Sequence, residues 1–410
     1  MNLWWEREGL RYNEDQELTF AGQSVQSLGE KLGTPLFLYD GARVLENIER
    51  VQSALDATGK SNRIFYAVKA NRFAPLLTLL KTQTSCGVDV CSPEEVRHAL
   101  SCGFDVSDIS YTGTSVSNAD LDFLASFPDL LINCDGLSML RRLGKRSPGR
   151  SIGVRINPAM GTGYGSNELL RYSGEKPTKF GIYRSELNEA LAIAKDYDMT
   201  IEAIHFHTGC GYLDCQLSPW EDILGECLKM IEQVGDVKCV NLGGGLGVPY
   251  TKDDAPLSLA EWSDKIKRVF GDKPFEIRVE PGTYIVKDAG LMVLEANTVE
   301  TKSGQAFVGV NGGFNLSMEP VHYKLPAEPT PCKLSDTKEK SFDPSNMKAV
   351  SFAGNINEAL DILLEDFPFP QVNEEDLIAF INAGAYTTSM SSNHCMRGAF
   401  SECLLLNDDQ

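Results

Sequence analysis

Short runs of β-branched and apolar residues recur through the first two thirds of the chain. They are IFYAVK (64–69), CGVDVC (86–91), ISYTG (109–113), LLINCD (130–135), IGVRIN (152–157), IEAIHFH (201–207), CVNLGG (239–244) and FEIRVEP (275–281). Between them lie stretches with helical spacing of apolar positions, such as PEEVRHALSCG, NADLDFLASF, RSELNEALAIAKDY and WEDILGECLKMIEQVG. Strand-length runs alternating with amphipathic helices predict a parallel sheet covered by helices. Eight such repeats suggest a closed (β/α)8 TIM-like barrel, with a doubly wound open sheet as the alternative. Read to its C-terminal end, each of seven runs stops on a polar residue or a glycine: Lys69, Asp89, Asp135, Asn157, His207, Gly243 and Glu280. A barrel gathers its chemistry at that end, so the convergence favours the barrel over the open sheet.

After about residue 290 the rhythm changes. GLMVLEANTVETKSG, AFVGVNGGF, KAVSFAGNI and DLIAFINAGAY are strand-length runs separated by turn residues, which predicts a second, mainly β domain. The polar, Pro- and Ser-containing stretch EPTPCKLSDTKEKSFDPSN (328–346) reads as a surface excursion of that domain. The expected organisation is an N-terminal segment (1–34), a barrel (35–290) and a β-sandwich or β-barrel domain (291–410).

A chain of 410 residues, 42% hydrophobic and 23% charged, suits a soluble globular protein of more than one domain. Its formal net charge of −19 would repel both nucleic acid and an anionic membrane surface, which leaves a small-molecule partner. The opening MNLWWEREGLRYNED has acidic residues where a signal peptide needs a basic segment and an apolar run, so the expected location is the cytoplasm. Eleven cysteines without CxxC pairs read as reduced, mostly small core residues.

A strand that ends on lysine raises a chemical question, because a buried unpaired ammonium must find a partner, reach water or react. A lysine at one strand end, a glycine cluster at another and a carboxylate at a third match the needs of pyridoxal 5′-phosphate. Lys69 is then the amine that takes the aldehyde, and Glu280 the group that keeps the pyridine nitrogen protonated. In NLGGGLGVPY (241–250) the glycines would let backbone N–H groups approach a phosphate. A purely structural glycine turn reads equally well, whereas a Rossmann dinucleotide site does not, since GxGxxG is lacking. His205 and His207 share one strand face, and an HxH pair could also ligate zinc in a metal-dependent barrel hydrolase. His98, His322 and His394 do not complete a ligand set. On the cofactor reading, His207 suits stacking on a flat ring and His205 a hydrogen-bonded place in the core.

The ordered set LGTPLFLYD, FYAVKAN, GVDVCSPEEV, RINP, KFGI, HFHTGC, NLGGGLGVPY, EPGTYIV and GAYTTSMSSN resembles the fold-type III PLP-dependent decarboxylases, the family of diaminopimelate and ornithine decarboxylases. The resemblance runs nearly end to end. It implies an alanine racemase-like barrel, a β domain that takes in the N-terminal segment, and a homodimer with active sites at the subunit interface. It also implies Lys69 as the Schiff-base lysine, His207 as the ring-stacking histidine, and Glu280 as the pyridine-nitrogen partner. Asp89 becomes a carboxylate close to the cofactor, Gly243, Gly244 and Gly245 the phosphate loop, and Tyr386 a tyrosine reaching the phosphate. Cys210 stands where the family usually has a phosphate-binding serine.

The departures bear on substrate. Thr283 replaces the arginine of the family's EPGR, and Glu319 replaces the arginine of RPxLY, while Tyr323 keeps that motif's tyrosine. In the diaminopimelate enzymes the second arginine helps hold the distal carboxylate, so Glu319 reads as a counter-charge for a substrate ammonium. In GNINEALD, Asn357 replaces the cysteine that reprotonates the substrate carbon from the partner subunit, while Glu358 and Asp361 remain. An amide is no acid, so either Cys395, Glu358 or water delivers that proton, or the reaction differs from simple decarboxylation. The resulting expectation is an amino-acid decarboxylase acting on something other than meso-diaminopimelate. A true diaminopimelate decarboxylase, a PLP racemase, a decarboxylation-coupled deaminase and a non-enzymatic PLP carrier are the alternatives.

Overall fold

The computed structural model describes residues 2–164, 167, 170 and 177–406. The chain forms two compact units, Asn47–Val248 with Ala255–Tyr284, and Met1–Glu46 with Pro249–Asp254 and Ile285–Gln410.

The first unit is the barrel. Its strands are β1 (Asn62–Ala67), β2 (Gly87–Val90), β3 (Ile109–Tyr111), β4 (Leu131–Cys134), β5 (Ser151–Asn157), β6 (Thr200–His205), β7 (Cys239–Asn241) and β8 (Glu276–Val279). Each pairs in parallel with its sequence neighbour, β8 pairs with β1, and β4 pairs with β5, so the sheet closes with no free edge. These are the eight runs read from the sequence, and closure excludes the open doubly wound sheet. Helices Pro93–Ser101 and Asn118–Ala125 each begin with a serine, Ser92 or Ser117, whose hydroxyl accepts from the third helical N–H. The strands are nearly all buried, as parallel strands under helices must be. Inside, however, the layer at the C-terminal ends is polar: Ser110, Asn133, His205, Asn241 and, just past β8, Glu280.

The second unit is mainly β. Its long strand Gly290–Lys302 serves two neighbourhoods, separated by a register shift between Ala296 and Thr298. The first half lies between Leu36–Asp40 and Leu377–Phe380, and the second half forms an antiparallel pair with Gln305–Val310. Lys348–Ala353 and Ile362–Phe369 continue the sheet, and Ser401–Leu405 pairs in parallel with Leu36–Asp40. Trp5, Leu10, Leu18, Phe20 and Val25 share one core with Leu291, Val293, Leu377 and Ala379.

Two features differ from the reading of the sequence. The unit boundary lies after Glu46 rather than at 34, because Leu36–Asp40 hydrogen-bonds into the β sheet rather than the barrel. And 328–346 is no mere surface excursion. Pro329–Pro331 is a buried edge strand on Leu377–Phe380, and Tyr12 Oη bonds Thr330 Oγ1 and the Pro331 carbonyl, both at 2.7 Å. Proline cannot donate to a ladder, so an edge is where a sheet accepts it, and composition alone made the segment read as a turn. No helix among the described residues is long and apolar enough to cross a membrane.

Candidate active site

Lys69 lies just past β1, at the mouth of the barrel, with its side chain 44% exposed. Its Nζ donates to Asp89 Oδ2 on β2. Asp89 itself is fully buried, and its Oδ1 has no hydrogen-bond partner among the described residues. Natural cores seldom leave a carboxylate oxygen in that condition, so the site retains acceptor capacity for something else. Burial, then the nearby Glu280 charge, pushes the Asp89 carboxyl up to about 7, with Lys69 opposing.

Glu280 has the opposite fate. Burial opposes its ionisation, but His205, Lys69 and Asn241 outweigh burial and hold the carboxyl well below the usual range. The geometry explains this. Oε1 accepts from Asn241 Nδ2 at 2.5 Å and from Ser110 Oγ at 3.3 Å, and Oε2 pairs with His205 Nε2 at 2.9 Å. An ionised carboxylate only accepts, so His205 carries its hydrogen on Nε2 in this bond. Asn133 extends the network by donating to Ser110 Oγ and Thr112 Oγ1. Thus β3, β4, β6 and β7 all contribute to fixing one anionic group.

His207, two residues beyond His205, is half-buried. Burial, then the charges of Arg155, Lys69 and His205, depresses its imidazole to about 3, so the ring is neutral at physiological pH. Arg155, which the sequence reading passed over, is buried on β5, bonds Asp135 Oδ1 at 3.0 Å, and lies 4.5 Å over the Phe180 ring. The inward alternation of RINP was the signal that marked it.

The glycine loop after β7 has a structural reason of its own. A Cβ at Gly243 would sit 2.6 Å from the Phe206 carbonyl, at Gly244 2.3 Å from that of Glu280, and at Gly245 2.5 Å from that of Gly209. Gly243 and Gly245 also have positive φ, 69° and 104°. The Gly243 N–H is taken by Asn241 Oδ1, whereas those of Gly244 and Gly245 donate to no group among the described residues. Cys210 lies half-buried in the loop after β6, its carbonyl accepting from the Tyr164 N–H. Thr283 is buried.

The β unit holds the remaining candidates. Glu319 was expected to offer a free charge to a substrate ammonium, and the structure corrects this. It is buried, and its Oε2 accepts from the Nζ of Lys287, itself buried. Two charges leave water together only when they neutralise each other, and nothing in the sequence pattern pointed to Lys287. Tyr323 closes the single turn Glu319–Tyr323 that Glu319 opens. Tyr386 sits in a left-handed conformation, φ 56°. Glu358 is half-exposed and pairs with His394 Nε2 at 2.6 Å, beside the exposed Cys395. Asp361 is structural: its carboxylate receives the N–H groups of Phe314 and Ile356, each at 2.7 Å.

Comparison with known proteins agrees with this geometry. Residues 42–287 match the family model described as the pyridoxal-binding domain of pyridoxal-dependent decarboxylases. The diaminopimelate decarboxylase of Methanothermobacter thermautotrophicus is 34% identical over 97% of this chain and 92% of its own. A crystal structure from Aquifex aeolicus superposes with a TM-score of 0.85 at 26% identity, covering 97% of this chain and 92% of that one. A lysine/ornithine decarboxylase from Vibrio vulnificus, solved with putrescine, shares the fold at a TM-score of 0.77 and 18% identity, over 93% and 97% of the two chains. The donor set fits pyridoxal phosphate: an accessible amine, an ionised carboxylate locked in place, a neutral imidazole, and the unused acceptor of Asp89.

The two carboxylates differ in what pH does to them. Asp89 has a folded value near 7, above its ordinary 3.8. The folded chain therefore holds that proton longer than the unfolded chain, and this contribution to stability falls as pH rises from about 4 to about 7. Asp89→Asn is expected to flatten that decline in the cofactor-free protein. Urea midpoints at pH 5 and pH 7.5 for both proteins check it, and an equal drop in the two would remove Asp89 as the cause.

Proposed function

Since the chain belongs to the pyridoxal-dependent decarboxylase family and is a PLP-dependent carboxy-lyase of fold-type III, we propose that it decarboxylates an amino acid whose distal end carries no carboxylate. When bound, pyridoxal phosphate supplies an aldehyde for an amine and a ring that accepts the electron pair left as CO2 departs. Lys69 is the amine that holds the cofactor in the resting enzyme, and its exposure at the barrel mouth supports that role. Glu280 keeps a proton on the ring nitrogen, a task for an acceptor that stays ionised, as its three hydrogen bonds favour. His207 offers a flat neutral ring to stack on. The N–H groups of Gly244 and Gly245, next to Gly243, together with Cys210 and the Tyr386 hydroxyl, bind the phosphate. Asp89 stays close to the amine that it already bonds.

The observation that carries the substrate reading is the buried Lys287–Glu319 pair. At the position where diaminopimelate enzymes have a carboxylate-binding arginine, this chain has an anion already neutralised within its own fold, and Thr283 replaces the other arginine. Tyr323 remains as a neutral hydroxyl for the substrate. The names of the relatives favour the second reading, a true diaminopimelate decarboxylase.

The enzyme acts as a homodimer, with Glu358 serving the partner's site. Exposed apolar side chains near Glu358 in sequence and in its His394 contact, Leu360 at 46% and Met396 at 88%, support burial of this face against a second copy. With Asn357 in place of an acid, Glu358 paired to His394 at 2.6 Å and the exposed Cys395 are the candidates to return a proton.

Four outcomes test this. Borohydride reduction of the PLP-loaded protein should label Lys69 alone, and Glu280→Gln should lower turnover far more than PLP binding; label on another lysine would sink the assignment. Mixed Lys69→Ala and Glu358→Ala subunits should regain about a quarter of the activity, since half of the dimers are hybrids with one of two sites intact. No regain after verified subunit exchange would place both groups in one chain's site. Finally, kcat/KM for meso-diaminopimelate should be at least about 100-fold below that of the best substrate among L- and D-lysine, ornithine, arginine and neutral amino acids. Each lost hydrogen bond to a charged group accounts for about 1.5–3 kcal/mol of that. Efficient CO2 release from meso-diaminopimelate would return the chain to the reaction of its named relatives.

A further inference from the structure

Lys287 is only 2% exposed, so its three N–H groups must find partners inside the protein. They meet three different segments. Nζ donates to Glu319 Oε2, donates to the Ala385 carbonyl at 3.1 Å, and stands 5.4 Å from the centre of the Tyr250 ring. The backbone of Lys287 takes part as well, its carbonyl accepting from the Gly384 N–H at 3.1 Å. One residue therefore fastens the segment before Tyr386 through both side chain and main chain.

That segment needs fastening. Tyr386 has φ 56°, a conformation that is strained for a bulky residue and persists only where the surroundings impose it. Ala383 N–H bonds the Gly290 carbonyl at 2.8 Å, and Thr387 Oγ1 bonds the Ala383 carbonyl at 2.7 Å. Gly384 lies so close to the main chain that a Cβ there would sit 1.7 Å from the Val286 carbonyl. The loop is thus clamped on both sides of Ala385, and the Lys287 ammonium bonds the residue that precedes Tyr386. The other end of the bridge reaches Glu319, the first residue of the turn that ends at Tyr323.

We propose that Lys287 is a positioning residue: its buried ammonium ties the turn bearing Tyr323 to the loop bearing Tyr386, and so holds the tyrosine on the phosphate side and the tyrosine on the substrate side in one fixed relation. This rests on the roles given to those tyrosines under Proposed function. Through its bond to the Ala385 carbonyl, Lys287 reaches the loop as well as Glu319.

Lys287→Met/Glu319→Gln removes both charges at similar volume, avoiding an uncompensated buried carboxylate. The readout is the PLP dissociation constant of the cofactor-free protein, followed by absorbance, with thermal melting alongside. The double variant should melt close to the unmodified protein and bind PLP at least fivefold more weakly. Adding Tyr386→Phe to it should then weaken binding less than Tyr386→Phe does in the unmodified background. PLP affinity within twofold of the unmodified protein would reduce Lys287 to a packing role and overturn the proposal. Should the double variant not fold, Lys287→Arg keeps the charge but presents a planar fork that cannot match both acceptors, and at least threefold weaker PLP binding is expected. Unchanged affinity in that variant overturns the proposal equally. Tyr386→Phe alone separates this from failure of the functional reading. A loss there with none in the Lys287 variants defeats Lys287 only, while no loss there removes Tyr386 from the phosphate and the proposal with it. None of these readouts depends on which amino acid is the substrate.

Discussion

An ionised carboxylate inside a closed barrel is expensive: desolvation of one ion amounts to several kcal/mol even after relaxation. Glu280 is ionised because hydrogen bonds from His205, Asn241 and Ser110 converge on it, and those donors lie on three different strands. They meet only if the sheet closes on itself in the register observed. The polar layer at the C-terminal end of the barrel is therefore a condition for that charge. Asp89 gives the contrast within the same mouth. Among the described residues it has one donor, Lys69, and an oxygen without a partner, so burial wins and the proton stays on longer. Two carboxylates in the same mouth are thus driven in opposite directions by the number of donors that each receives.

The β unit solves a similar problem by pairing rather than by a shell of neutral donors. Lys287 and Glu319 are each unaffordable alone in a core, and each is what makes the other tolerable. An arginine at position 319 could not take part in this arrangement, because two cations would then face each other. The glutamate at 319 and the lysine at 287 act as one unit, which also bonds the loop before Tyr386.

Much of the barrel was legible because its physics is local. A parallel strand buried on both faces reads as a short apolar run, and an amphipathic helix as a 3.6-residue period, so all eight strands and four of the helices between them were read from the sequence. Lys69, Asp89, His207 and Glu280 followed as the residues at or just past the strand ends. The β unit was less legible. Ile362–Phe369 carries charged and proline residues, Ser401–Leu405 is a short run near the chain end, and Pro329–Pro331 has the composition of a turn. Their pairing partners, not their own propensities, make them strands, as β structure commonly requires.

By itself, then, the sequence determined the alternation that builds the barrel, the chemical types at its mouth and the loss of two arginines, because periodicity, strand ends and residue identity are properties of a short stretch of chain. Tertiary structure decided the states of those groups. The core hydrogen bond expected of His205 went to Glu280, Arg155 joined Asp135, the glycine loop acquired steric reasons independent of any phosphate, and Glu319 found Lys287 across 32 positions of sequence. The physical reason is that ionisation and hydrogen-bond satisfaction depend on which groups meet once water is excluded, and such meetings between distant positions leave no period or spacing in the sequence.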